Sequence, residues 1–161
     1  MFVGAARYPS RRGPRRGLRA RRPRYERSMS QRPESIPPGT RGPGYQRAPD
    51  HRVAFLPSAK KVVVKAGDQI IAESTDVVIL EEANYPPRYY LARKDVNAER
   101  IQRVEGKTTF CPFKGLASYF SVVGPDGSIA DAAWSYEQPY REAEILRDRI
   151  AFDRDKVSEV V

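Results

Sequence analysis

Ala117-Ser-Tyr-Phe-Ser-Val-Val123, Gly124-Pro-Asp-Gly127 and Ser128-Ile-Ala-Asp-Ala-Ala-Trp-Ser-Tyr136 together decide the fold. The two flanks are rich in β-branched and aromatic residues, and the four residues between them carry turn chemistry. Proline presets φ at the first central position, aspartate follows, and glycine takes a left-handed conformation at no steric cost. Strands joined this tightly pair antiparallel. Alternation along the second strand puts Ala130, Ala132, Trp134 and Tyr136 on one face.

Upstream, Lys61-Val-Val-Val-Lys65 reads as a strand, Ala66-Gly67-Asp68 as a tight turn and Gln69-Ile-Ile-Ala-Glu73 as its partner. Ser74-Thr75-Asp76 turns again into Val77–Leu80, so the three strands read as an antiparallel meander. Tyr89-Tyr90-Leu91-Ala92 is a further strand entered through Pro86-Pro87, and Arg149-Ile-Ala-Phe-Asp153 is the last. Asn97 caps a helical turn over Ala98–Arg103, and a second turn of helix falls near Glu142–Leu146. The expectation is a mainly β fold: one compact antiparallel β-domain with little helix, covering residues 52–161. A disordered N-terminal tail, residues 1–50, precedes it.

The tail is expected from composition. Residues 1–50 hold eight of the fourteen prolines and six of the eleven glycines, with no periodic apolar residues to offset the entropy of ordering. The charge is equally uneven. Of the formal net charge of +9, all arises in residues 1–28, which carry ten arginines, no lysine and the single acid Glu26. Residues 29–161 are neutral, so a basic globular surface is excluded. An arginine tail could contact nucleic acid or an anionic surface, since guanidinium forks suit phosphates. The other reading is that residues 1–28 lie ahead of the native start. Met29 opens Met-Ser-Gln-Arg-Pro-Glu-Ser, and the Arg, Gly, Pro and Ala upstream of it read as translated GC-rich sequence. A transit peptide fits poorly because Pro9, Pro14 and Pro23 interrupt any amphipathic helix, and a twin-arginine signal lacks its apolar stretch.

One cysteine, Cys111, forms no intramolecular disulfide, and with the one histidine, His51, it cannot supply the ligands of a usual structural zinc site. No metal and no cofactor are expected. No apolar run is long enough to span a bilayer as a helix. A reduced, cytoplasmic protein is the default expectation. His51 sits at the tail boundary, so a triad or a Cys-His dyad would require that segment to fold back onto the domain.

At Cys111-Pro-Phe-Lys-Gly115, followed by Ala117 and Tyr119, and at Ala133-Trp134-Ser135-Tyr136 with Pro139, the sequence resembles the domain of unknown function 427 family. The order of landmarks is kept elsewhere: Gly67, Ile71-Ala72-Glu73-Ser74, Pro87 with Tyr89-Tyr90, Arg93, Asp95-Val96, Ala151-Phe152 and Val157. The resemblance covers roughly Val62 to Val157 and departs at Ala92, where the family pattern often has proline. It implies a β-tent architecture, similar to B-type methionine sulfoxide reductases and the drug-binding domain of cereblon. It also carries a nucleotidyltransferase label, for which this chain shows neither a Gly-rich phosphate loop nor paired metal-binding aspartates.

The candidate site residues follow from side-chain chemistry. Tyr90, Trp134 and Tyr136 offer flat faces with polar tips, suited to stacking a planar ligand. Lys114-Gly115 offers a cation beside a backbone that a ligand can approach closely, or simply a turn. Arg93 and Asp95, two apart, would share a strand face and pair. The expected function is binding of a small polar or planar ligand in an aromatic and basic pocket formed by these residues. The alternative is an enzyme using Cys111 or Lys114 in thiol or group-transfer chemistry. Against it, Cys111 reads equally as a small buried hydrophobe. Nucleic-acid binding is expected through the tail alone.

Overall fold

The computed structural model describes residues 32–161, and the first 31 residues of the tail expected over residues 1–50 lie outside them. Ten strands form two antiparallel sheets, as the mainly β reading requires. They are β1 (Val53–Ser58), β2 (Val62–Ala66), β3 (Gln69–Ser74), β4 (Val77–Glu82), β5 (Arg88–Ala92), β6 (Ile101–Cys111), β7 (Gly115–Gly124), β8 (Gly127–Pro139), β9 (Arg149–Phe152) and β10 (Ser158–Val160). The larger sheet runs β1-β4-β5-β9-β8-β7-β6, and the smaller runs β10-β2-β3.

The β7–β8 hairpin forms around Pro125-Asp126, with Gly124 opposite Gly127 and Gly127 at φ +119°. The β2–β3 turn closes in the same way, Ala66 facing Gln69 and Gly67 at φ +57°. The meander does not form. β3 and β4 lie in different sheets, and Ser74–Asp76 is the crossing between them. Ser74 Oγ fixes that crossing by donating to Asp95 Oδ2 at 2.6 Å and accepting from Asp76 N–H at 3.0 Å. The face expected of β8 is interrupted too. Two register shifts break the pairing with β7, and Asp131 takes φ +53° in the first of them. Trp134 and Tyr136 still share a face, whereas Ala132 packs into the opposite core.

Successive residues of the central strands serve two cores, because side chains alternate across a sheet. Val77, Leu91, Ile150 and Phe152 point toward the small sheet, where they meet Val62, Val64 and Ile71. Val78, Tyr90 and Ala151 point the other way, toward Ala117, Tyr136 and Leu146. Burying each large aliphatic side chain contributes about 1.5–3 kcal/mol, so this double burial anchors the sheet.

Residues 32–50 depart from the expected disorder. Ile36 is buried against Leu116 and Tyr140, and its N–H donates to Gln138 Oε1 at 2.9 Å. Gly42 N–H donates to Glu142 Oε2, and Gly44 N–H to the Pro112 carbonyl at 2.9 Å. A single helical turn, Gly44–Arg47, follows. At Gly44 a Cβ would lie 2.8 Å from the Phe113 ring, so only glycine lets this strap lie flat on the β6–β7 turn. Two of the glycines that suggested disorder, Gly42 and Gly44, are instead points of close approach.

Candidate functional site

Glu82 ends β4, second in the large sheet, whereas Lys114 sits in the β6–β7 turn at its far side. Yet Lys114 Nζ donates to Glu82 Oε2 at 2.5 Å, so the sheet curls until its two margins meet. The curl encloses a cavity of about 340 Å³ on the face occupied by the second core. Tyr90 from β5, Trp134 and Tyr136 from β8, and Lys114 all line it. Four of the seven residues expected to bind a ligand are thereby brought together.

The aromatic wall is tied internally. Trp134 Nε1–H donates to Tyr90 Oη at 3.1 Å, and the Tyr90 and Tyr136 rings lie 6.4 Å apart. Burial pushes both phenols well above their ordinary range, only partly opposed at Tyr90 by the indole bond, so both stay neutral near neutral pH. Tyr119 also lines the cavity and shares a hydrogen bond with Thr109 at 3.0 Å.

The cationic end is built differently from the expectation. Lys114 is buried rather than solvated. Its partner Glu82 is bonded on the other oxygen by His51 Nε2 at 3.0 Å, and the imidazole stacks on Phe113 with ring centroids 4.7 Å apart. Burial pushes the Glu82 carboxyl up, but the Lys114 bond and then the His51 bond outweigh it and hold its pKa below the ordinary value. The strap thus does fold back, bringing the one histidine to within one residue of the cavity.

Gly115 has φ +119°, and a Cβ there would lie 2.5 Å from the Gln138 carbonyl oxygen. Its close approach is taken by the β8 backbone and not by open space. Arg93 and Asp95 stand away from the cavity in a 3-10 turn, so they share no strand face. Asp95 bonds Ser74 and lies 3.6 Å from Lys94, whereas Arg93 covers the Phe120 ring. Cys111 is partly buried beside the second core and does not line the cavity. Among the described residues, no group of three His, Cys, Asp or Glu is placed to hold a metal ion.

Four charged lining residues were missed in the sequence, Glu82, Arg88, Asp131 and Asp153. Arg88 opens β5 directly after Pro86-Pro87, and its guanidinium carbon lies 5.6 Å from the Trp134 ring centroid. Its place one pleat from Tyr90 was the available signal, since residues two apart on a strand share a face. Residues 54–161 match the family model described as a domain of unknown function (DUF427). The chain belongs to the DUF427 family. The match contains every cavity-lining residue. His51 and the strap lie outside it, so this DUF427 domain receives its histidine from a preceding segment. No curated protein matches the chain. Among the described residues, no helix is long and apolar enough to cross a membrane.

Proposed function

We propose that this DUF427 domain binds a small planar ligand bearing one anionic group, with its ring against Trp134 and its charge toward Arg88 and Lys114. One observation carries the reading. Among the described residues Arg88 makes no ion pair within 4 Å, Glu159 acting on it only at longer range, and it is held over the Trp134 ring at the cavity. Lys114 pairs with Glu82, and the other lining carboxylates, Asp131 and Asp153, face Lys107 and Lys156, which leaves Arg88 as the lining cation outside any ion pair. A cation beside an indole face attracts a flat anion through stacking and Coulomb energy together. A cavity of about 340 Å³ lies at the small end of ligand sites and suits a single ring with substituents.

Group transfer at Lys114 is the second reading, and it draws on the amine–carboxylate–imidazole chain from Lys114 through Glu82 to His51. Cys111 supports it less, being outside the cavity lining. The tail reading concerns residues 1–28, which lie outside the described residues.

Trp134 is the only tryptophan of the chain, so its fluorescence reports the cavity alone. Nicotinate, a planar monoanion, is expected to quench it saturably, and the uncharged nicotinamide to bind about tenfold more weakly, a difference of about 1.4 kcal/mol. Arg88→Met is expected to erase the difference between acid and amide. Equal affinity for the two compounds in the unaltered protein, or no saturable quenching by nicotinate, overturns the reading.

A further inference from the structure

Arg93 was expected in the aromatic pocket, and the structure places it on the other side of the sheet system, in a second hollow. Its guanidinium carbon lies 4.3 Å from the centroid of the Phe120 ring. The guanidinium carbon of Arg103, on β6, lies 5.4 Å from the same centroid. Val96, Ala98 and Ile101 complete a cavity of about 300 Å³ around the two arginines.

The other cations nearby are engaged. Arg103 pairs with Glu137, which also accepts from Ser118 Oγ at 3.2 Å. Arg147 pairs with Glu144, Arg149 with Asp76 at 2.7 Å, and Lys94 lies 3.6 Å from Asp95. Among the described residues, no side-chain acceptor bonds the Arg93 guanidinium. Its backbone is fixed instead, the Arg93 N–H donating to the Asp148 carbonyl at 2.8 Å. Burial, helped by the Arg103 charge, outweighs the opposing charges of Glu137 and Asp148 and leaves its pKa below the ordinary arginine value. A half-buried guanidinium with no bonded carboxylate keeps a desolvation cost that the charges of Glu137 and Asp148 only partly offset. An arriving carboxylate offsets that cost through two parallel N–H···O bonds.

We propose that the Arg93–Arg103–Phe120 hollow is a second binding site, for a small aliphatic monocarboxylate whose carboxylate bridges the two guanidinium groups and whose chain lies on Val96, Ala98 and Ile101. The Arg93 fork, left without a bonded side-chain acceptor, selects an anionic head group. The apolar floor selects a short hydrocarbon chain over a polyol. This site shares no residue with the cavity at Trp134 and does not depend on it.

Butyrate and its neutral isostere butyramide test it on the full chain, read through the arginine Nε–Hε signals in nuclear magnetic resonance. Butyrate is expected to shift the Arg93 signal saturably, with butyramide at least about tenfold weaker, because only the carboxylate accepts the charged fork. Arg93→Met, which keeps the stem over Phe120, is expected to abolish the butyrate response at Arg103 while leaving nicotinate quenching of Trp134 unchanged. An Arg93 signal indifferent to butyrate, or one that moves alike for acid and amide, overturns the site. That contrast is made in the unaltered protein and stands whether or not the variant folds.

Discussion

Gly115→Ala is expected to destabilise the domain by about 4 kcal/mol, close to the upper end for a single substitution. Two causes act at one atom. The residue holds φ +119°, a region that costs a non-glycine residue on the order of 1–3 kcal/mol. The added methyl also meets backbone rather than a flexible side chain, with Gln138 O at 2.5 Å, Pro139 Cα at 3.1 Å and Tyr140 N at 3.2 Å. Relief requires moving β8 away from β7 where the strap is tied down, since Tyr140 N–H donates to the Lys114 carbonyl and Gln138 accepts from Ile36. Urea unfolding should show the midpoint falling with little change in slope. Gly127→Ala is the control: its φ is the same, but a Cβ there meets nothing within 4 Å, so only the conformational part of the loss should appear. Equal losses at the two positions would show that the close approach of β8 contributes nothing.

Local chemistry made part of this fold legible. Pro125-Asp126-Gly127 and Gly67-Asp68 specify their turns by backbone preference alone, and both hairpins form where expected. Asn97 caps its turn as read, its Oδ1 accepting from Glu99 N–H, but the helix stops at Arg100 because β6 begins at once. The missed strands are the ones whose residues carry the weakest pattern. β1 contains Pro57, which argues against a central strand and is tolerated because β1 is an edge. β6 is the opposite edge, with no fully buried residue and Gly106 interrupting it, so no apolar alternation marks it. The sheet assignment of β4 was not legible either, since Ser74–Asp76 looks like any turn until Asp95 is seen to hold Ser74 from 21 residues away.

The site divides in the same manner. Trp134, Tyr136 and Tyr90 were found because strand periodicity and aromatic chemistry are both local properties of the sequence. Glu82 and His51 were not, because each matters only through a partner that the curl of the sheet supplies. The separation of Lys114 from Glu82 is 32 residues, and nothing in either neighbourhood announces the other. Arg93 and Asp95 were misplaced for the converse reason. Two residues at strand spacing share a face only if the segment is extended, and here it winds into a 3-10 turn.

Lys114→Met should cost about 3 kcal/mol near neutral pH, because it leaves the Glu82 carboxylate in place with its main partner removed. The side chains of Lys114 and Glu82 are only 9% and 15% exposed, so water does little to replace the lost ammonium. The double variant Lys114→Met with Glu82→Leu should recover most of the loss, to within about 1 kcal/mol of the unaltered protein, since an apolar pair of similar volume carries no desolvation cost. The pH dependence separates charge from packing. In the unaltered protein the folded pKa of Glu82 lies below its ordinary value of 4.5. Its pairing therefore contributes stability that is fully present above that value and lost as pH falls through the folded pKa. In Lys114→Met burial is opposed only by His51, so the carboxyl pKa moves upward and this contribution shrinks or reverses. His51 faces Glu82 in both proteins and largely cancels from the comparison. The difference in unfolding free energy between the two proteins should thus be greatest near neutral pH and narrow steadily below the ordinary carboxylate range. A difference that stays constant with pH would assign the loss to packing around the lysine stem, and with it remove the charge pair as the element that closes the sheet upon itself.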